Sequence, residues 1–308
     1  MQFLPPINRD KAAARREKPA GTHLPYARHV DDVTLQLRDG MLMQTVHLGG
    51  LLFETADSDE LNYRAELRDT MLRAIGSSRF AVYHHLIRRR ADVSLLSDYA
   101  DDFSTQLDRR WRDRLADKQM FINELFVTIV RRPLQGRLGW TDRLRGIAGK
   151  AVERRDVALA AERRALDAAR EAITAALSQY SPRTLGIYET ADGYRSEPLE
   201  FLSCLFNGEM RPVGLPHGDL GMHLPWRRVS FGQDTIELGP AAKFPRRFSA
   251  LVSIKDYPGQ TMPGMFDELY RLPFEMTVTQ SFAFNERSEA LGRMHALNTS
   301  TRAVRRPA

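Results

Sequence analysis

The pair Asp39-Gly40 sits between two runs of alternating hydrophobicity, and no other short stretch limits the fold as much. In VTLQLRDGMLMQTVHLGG, the apolar Val33, Leu35 and Leu37 alternate with Thr34, Gln36 and Arg38. A period of two places one set of side chains on one face of a strand. Asp-Gly tolerates the positive φ of a tight two-residue turn. The spacing therefore predicts an antiparallel hairpin that ends at Gly49-Gly50. A chain that begins this way builds a sheet with antiparallel neighbours rather than a purely parallel one.

The pattern then switches between periods. Asp57, with Glu60 three residues on, predicts a capped helix over about 58–75. FAVYHHLI and FINELFVTIV read as strands, with a helix over about 97–118 between them. In that helix Tyr99, Phe103, Leu107, Trp111 and Leu115 recur every fourth residue, a stripe expected to face the core. From Thr141 to Tyr180 the pattern is helical, with Val152, Leu159, Leu166, Ile173 and Tyr180 seven apart. Such a stripe suits an antiparallel partner helix, a subunit contact, or a helix lying along its own domain. Ser181-Pro182 stops it. The second half reads as a strand (TLGIYET), a helix (PLEFLSCLFNG), a Gly/Pro-rich loop over 209–225, a hairpin (RRVSFGQDTIELG), a strand (FSALVSIKDY), a short helix (GMFDELYRL), a strand (FEMTVTQSFAF) and a final helix from Glu286. Hairpins and strand-helix-strand units without strict alternation predict an α+β fold with mixed β-sheets and one long helix. The two halves share a loose order of elements, which fits two related subdomains. The expected division is a mobile basic arm over 1–21, a first α+β subdomain over 22–140, a connecting helix over 141–181 and a second α+β subdomain over 182–308.

The residues offer little chemistry. The 308 residues carry a net charge of +6 and a pI near 9.6, which favours an anionic partner such as nucleic acid or a lipid surface. A single cysteine, Cys204, excludes an intrachain disulfide, and its apolar helical setting suits burial rather than nucleophilic work. The only Gly-Lys pair, Gly149-Lys150, has Leu144 where a phosphate loop needs glycine and Ala151 where it needs Ser or Thr. His84 and His85 are adjacent in a strand, so they point to opposite faces and share no metal. Asp31-Asp32 and Asp101-Asp102 sit near element starts, where capping is their expected role. Ser230, Ser253 and Ser281 lack the setting of a nucleophile elbow. Two strand ends are basic: Arg88, Arg89 and Arg90 close one, and Arg131 and Arg132 the other. If a right-handed crossover makes the two strands parallel, these ends share one sheet edge, and the five arginines form a patch suited to phosphate or carboxylate groups.

Several scattered segments, taken in order, have a familiar form. LPYARH, with Leu24, Pro25, Tyr26 and His29, precedes the Asp39-Gly40 hairpin. Tyr257, Pro258, Pro263, Gly264 and Met265 precede Thr279, Gln280, Ser281, Phe282 and Phe284. In this order, over about 22–297, they resemble the N-terminal region of the conjugal-transfer and type IV secretion ATPases, the CagE/TrbE/VirB group. The resemblance implies an α+β region that precedes a RecA-like motor, with the phosphate loop and magnesium-binding acid in that later part. It carries over no catalytic, metal-binding or cofactor-binding residue. ATP and magnesium are implied only for the motor, and this chain is expected to be the non-catalytic front portion. The implied role is docking at the cytoplasmic face of the bacterial inner membrane, on secretion-channel components including a small membrane protein, with self-association in the full-length protein. The rival reading is a nucleic-acid-binding accessory module, motivated by the pI and the arginine-ended strands. A third is a hydrolase whose acids and histidines meet only in the fold. Within the signature, Phe282 and Phe284 share a strand face and are expected to pack in the core.

Overall fold

The computed structural model describes residues 18–50, 57–91, 99–116, 120–132, 148–239, 245–254, 259–260, 262 and 264–284. In chain order the elements are β1 (Tyr26–His29), β2 (Leu35–Leu37), β3 (Leu42–Leu48), α1 (Ser58–Ala74), β4 (Phe80–Ala91), α2 (Asp102–Ala116), β5 (Met120–Arg131), α3 (Ala148–Ala176), β6 (Pro182–Thr184), β7 (Ile187–Thr190), β8 (Gly193–Ser196), α4 (Glu197–Asn207), β9 (Val229–Phe231), β10 (Ile236–Leu238), β11 (Arg247–Ser249), α5 (Asp267–Arg271) and β12 (Met276–Ala283). The fold is α+β, as expected, and the described strand pairs run antiparallel. Two compact units interleave along the chain, rather than following one another as the sequence reading expects. One comprises 1–41 and 186–257; the other comprises 42–185 and 258–308. The final helix expected from Glu286, and residues 1–17 of the arm expected over 1–21, lie outside the described residues; Ala20–His23 forms a 3-10 turn with Gly21 buried.

In the first unit β1 pairs antiparallel with β2, and β7 with β8. The turn after β2 forms as Asp-Gly requires: Gly40 has φ 88°, and the Leu37 N–H donates to the Met41 carbonyl at 2.8 Å. Ser196 caps α4, accepting from the Leu199 N–H, and Gly208 closes it with φ 72°. Cys204 is buried in α4. The loop over 209–225 is anchored by polar groups. The Asn207 amide donates to the Leu224 carbonyl and accepts from the Trp226 and Arg227 N–H groups. Arg227, whose side chain is fully buried, donates to Glu209 at 2.9 Å, and Glu209 also takes Arg247 at 2.9 Å. The three-stranded sheet β11-β10-β9 includes the expected hairpin, but β11 is only three residues long.

In the second unit the sheet runs β3-β5-β4-β12, with β6 on the other edge of β3. α1 has the expected cap: Asp57 accepts from the Glu60 N–H at 2.8 Å. α3 packs on β3, β5 and α1. Its stripe is the face it buries, with Leu166 and Ile173 fully buried and Ala169 nearly so. The helix therefore lies along its own domain. Its 29 described residues span about 44 Å at 1.5 Å each, and residues 141–147 of the helix read from the pattern lie outside the described residues. Val152 falls where side chains are not described. Opposite α3, Leu42, Val46, Val82, Val127 and Ile129 form the core. Polar links cross the same layer. Gln44 donates to Asp167 at 2.7 Å, and Glu162 takes both Arg79 at 2.6 Å and Arg131 at 2.5 Å.

Two expectations fail here. β4 and β5 are antiparallel, paired from Phe80↔Arg131 to Ala91↔Met120. The pairing itself sets the direction: Ala91, the last residue of β4, sits opposite Met120, the first of β5. The chain instead returns at the same end, so α2 is an excursion from the tip of a long hairpin. The second failure follows. Phe103, Leu107 and Trp111 of α2 are 75%, 58% and 59% exposed, and Tyr99 is exposed too. The stripe does not face the core; the helix that covers the sheet is α3, with α1 packed against α3.

Candidate functional site

The antiparallel register separates the basic clusters. Arg131 pairs with Phe80, and Arg88 lies eight residues further along β4, or about 26 Å away at 3.3 Å per residue. The five arginines form no single patch. Most are also engaged. Arg131 holds Glu162 and lies over the Phe80 ring at 4.8 Å. Arg88 lies over Phe121 at 4.5 Å and donates to Asn123. Arg89 pairs with Glu124 at 2.5 Å, and the Arg90 backbone N–H donates to Glu275. Arg132 is exposed, and its backbone N–H donates to the Arg79 carbonyl. Glu162 shows the local electrostatics. Burial alone would push its pKa up, but hydrogen bonds from Arg79 and Arg131 outweigh that and hold it below the ordinary carboxylate value.

What the register does gather is apolar surface at the α2 end of the sheet. Met120 and Ile122 at the start of β5 are exposed, as are Leu272 and Phe274 just before β12. Met276 pairs with Arg88, and Arg88 donates to the Leu272 carbonyl, so these groups share one end of β5, β4 and β12. Only three residues separate Ala116 from Met120, which keeps the end of α2 within about 15 Å of Met120. α2 itself is firmly started: Asp101 accepts from the Ser104 N–H at 2.7 Å, and this bond lowers the Asp101 pKa. Asp108 and Arg112 form an ion pair one turn apart. The helix thus holds its shape while it presents Phe103, Leu107 and Trp111 to solvent. Sequence reasoning found this stripe but assigned it to the core. The β5 and β12 contributions escaped it because they depend on strand register.

The other candidate groups have structural partners. His29 bridges the Asp31 carbonyl at 3.1 Å and the Ser196 hydroxyl at 2.9 Å. Burial lowers its pKa, against hydrogen-bonding and charge effects from Asp31 and Asp32 that raise it. The Asp31 carboxylate is occupied by the Val33 and Thr34 N–H groups, and Ser196 is buried as a helix cap. This trio secures β1 to the start of α4 and exposes no nucleophile. His85 is buried and bonded to Thr279 at 3.0 Å; burial, then the neighbouring His84, lowers its pKa to about 4. Among the described residues no group of three or more histidine, cysteine or acidic side chains could hold a metal ion. Among them, too, no helix is long and apolar enough to cross a membrane.

The signature residues form two structural sets. In the first unit, the Pro25 carbonyl accepts from the Arg38 N–H, Tyr26 pairs with Leu37, and Asp39-Gly40 make the turn. In the second unit, Gly264 has φ 82° and its carbonyl accepts from the Asp267 N–H at the start of α5; Met265 is exposed. Gln280 and Ser281 are exposed on β12, while Phe282 and Phe284 are half-buried rather than core residues. Tyr257, Pro258 and Pro263 lie outside the described residues.

This arrangement can be set beside known proteins. Residues 33–138 match the family described as "Type IV secretion system ATPase VirB4/TrbE, N-terminal domain", and residues 183–305 match "CagE, TrbE, VirB family, component of type IV transporter system". The chain belongs to the CagE, TrbE, VirB family. Within that family it is similar to protein virB4 of Agrobacterium fabrum, at 31% identity over 91% of this chain and 35% of that protein. It is also similar to type IV secretion system protein virB4 of Bartonella henselae, at 29% identity over 90% and 35%. Type IV secretion system protein PtlC of Bordetella pertussis is 30% identical over 91% and 34%. The chain thus spans about a third of the length of these CagE/TrbE/VirB relatives, and it corresponds to the N-terminal region of a VirB4-type secretion ATPase.

Proposed function

We infer that these residues are the docking and assembly region of a type IV secretion ATPase, which attaches the motor to secretion components at the cytoplasmic face of the inner membrane. The observation that carries this reading is exposed apolar surface in the second unit: the α2 stripe, and Met120, Ile122, Leu272 and Phe274 at the end of the sheet to which α2 is joined. Aromatic and aliphatic side chains that face solvent in such number favour an interaction surface over a solvated face. The partner that suits it is apolar, such as the helix of a small membrane protein where it leaves the bilayer. Nucleotide hydrolysis belongs to the motor in this reading, and these residues hold no ATP or magnesium. The dispersal and pairing of the arginines argue against the nucleic-acid alternative.

Co-purification from detergent-solubilised inner membranes tests the reading. The chain is expected to retain secretion-channel components, and a Phe103→Asp/Trp111→Asp variant to lose them about tenfold or more, since central aromatic anchors carry most of an interface. The variant should keep its circular dichroism spectrum. Equal recovery by both proteins would remove the surface from consideration.

A further inference from the structure

In the first unit, part of the loop over 209–225 forms a cleft of about 280 Å³ with Trp226. Both sides of it are held. On one, the Asn207 amide donates to the Leu224 carbonyl and accepts from the Trp226 N–H. On the other, residues 213–215 lie antiparallel to β8. The Ser196 N–H donates to the Val213 carbonyl at 3.0 Å, and the Leu215 N–H to the Tyr194 carbonyl at 2.9 Å. Pro212 and Pro216 bracket this stretch and restrict its backbone. Gly214 then stands opposite Arg195, and at such a position N–H and C=O point away from the paired strand. Neither group has a hydrogen-bond partner among the described residues. Apart from its chain neighbours, a Cβ at Gly214 would meet no atom within 4 Å, and the Gly214 φ is not left-handed. Neither crowding nor strain demands glycine here; a side chain would instead intrude on the cleft.

Charge selects the occupant. Arg211 and His223 line the cleft, and among the described residues no acidic side chain does. The Arg211 guanidinium lies over the Trp226 ring at 4.4 Å, and the buried Arg227 lies over the same ring at 4.7 Å. Stacking on the ring orients Arg211 before a partner arrives, so less freedom is lost on binding. Nearby acids are engaged elsewhere. Glu209 is divided between Arg227 and Arg247, and Glu200 accepts from the Val213 N–H and the Tyr188 hydroxyl. We propose that this cleft binds an extended peptide segment bearing an Asp or Glu side chain. The peptide backbone pairs with Gly214, the carboxylate meets Arg211 and His223, and an apolar neighbour rests on Trp226. The outward groups of Gly214 decide for a peptide over a free acid or phosphate. A peptide amide satisfies both the donor and the acceptor, whereas an anion is repelled by the carbonyl. One backbone pair and one ion pair make a weak contact, with a Kd on the order of 100 μM. The cleft belongs to the first unit and α2 to the second, so the proposal stands or falls without the docking reading.

Isothermal titration calorimetry of the full chain is the test, with the capped peptide acetyl-SVTEVTS-amide, whose only charge is the glutamate. Saturable one-to-one binding is expected. The glutamine analogue acetyl-SVTQVTS-amide should bind about tenfold or more weakly, and Arg211→Gln should lose as much for the glutamate peptide. Gly214→Val should abolish binding at an unchanged melting temperature, because its side chain has room in the fold but not beside a peptide. Glutarate and inorganic phosphate, which offer the charge without the backbone, should not displace the peptide. Four results would each overturn the proposal. They are no heat of binding up to about 1 mM peptide, equal affinity for the two peptides, wild-type binding by Gly214→Val, and displacement by glutarate or phosphate. The last would make the cleft a small-anion site.

Discussion

At the scale of single residues, the polar groups within the two units act as fasteners. Glu162 joins α3 to both Arg79 and Arg131, and the Arg131 side chain is only 10% exposed. Removing the carboxylate leaves a poorly solvated guanidinium without its acid. Glu162→Ala is expected to lower stability by roughly 2 kcal/mol, between the values for exposed and buried ion pairs because Glu162 retains some solvent access. Urea denaturation measures this, and a loss within about 0.5 kcal/mol would place Glu162 among ordinary surface residues. His85 supplies the pH dependence. Its folded pKa of about 4 lies below the ordinary 6.5, so the unfolded chain binds the extra proton between these values. Its contribution is complete above about pH 6.5 and declines as the pH falls towards 4. The melting temperature should therefore drop over that window, less steeply in His85→Gln. In NMR, the His85 ring should remain neutral at pH 6. The sequence placed His84 and His85 on opposite faces of a strand; which face is the drier, only the packed sheet decides.

At the scale of elements, α2 and α3 show the limit of periodicity. Both carry an apolar stripe at helical spacing, yet α3 buries Leu166 and Ile173 while α2 leaves Phe103, Leu107 and Trp111 in solvent. A stripe states that a helix has something to cover, and only the rest of the fold supplies the surface. Truncation should separate the two helices. Leu166→Ala and Ile173→Ala are each expected to cost about 2–5 kcal/mol, as buried aliphatic residues do. Leu107→Ala and Trp111→Ala should each stay within about 0.5 kcal/mol of wild type. Denaturant midpoints decide, and a core-sized loss at Trp111 would mean that its face is packed. Caps and turns were easier to read. Asp57, Asp101 and Gly40 act through bonds or dihedrals within three residues of themselves, so their roles follow from local chemistry alone.

At the scale of the whole molecule, the compact units draw on distant parts of the chain. The second unit takes β3 to β6 from the first two thirds of the sequence and β12 from beyond residue 258. A fragment of residues 22–140, a complete subdomain on the sequential reading, would lack both α3 and β12. It should show no cooperative thermal transition by circular dichroism; a sharp melt would restore the sequential division. The chain by itself determined the hairpin at Asp39-Gly40, the capped helices, the α+β class and the family signature, since each rests on contacts between near neighbours or on residue identity. The tertiary structure alone decided that β4 and β5 run antiparallel, that the arginines separate, that α2 faces outward and that β12 ends a sheet. These depend on which distant segments reach each other first-hand in space, and a short-range pattern carries no term for that.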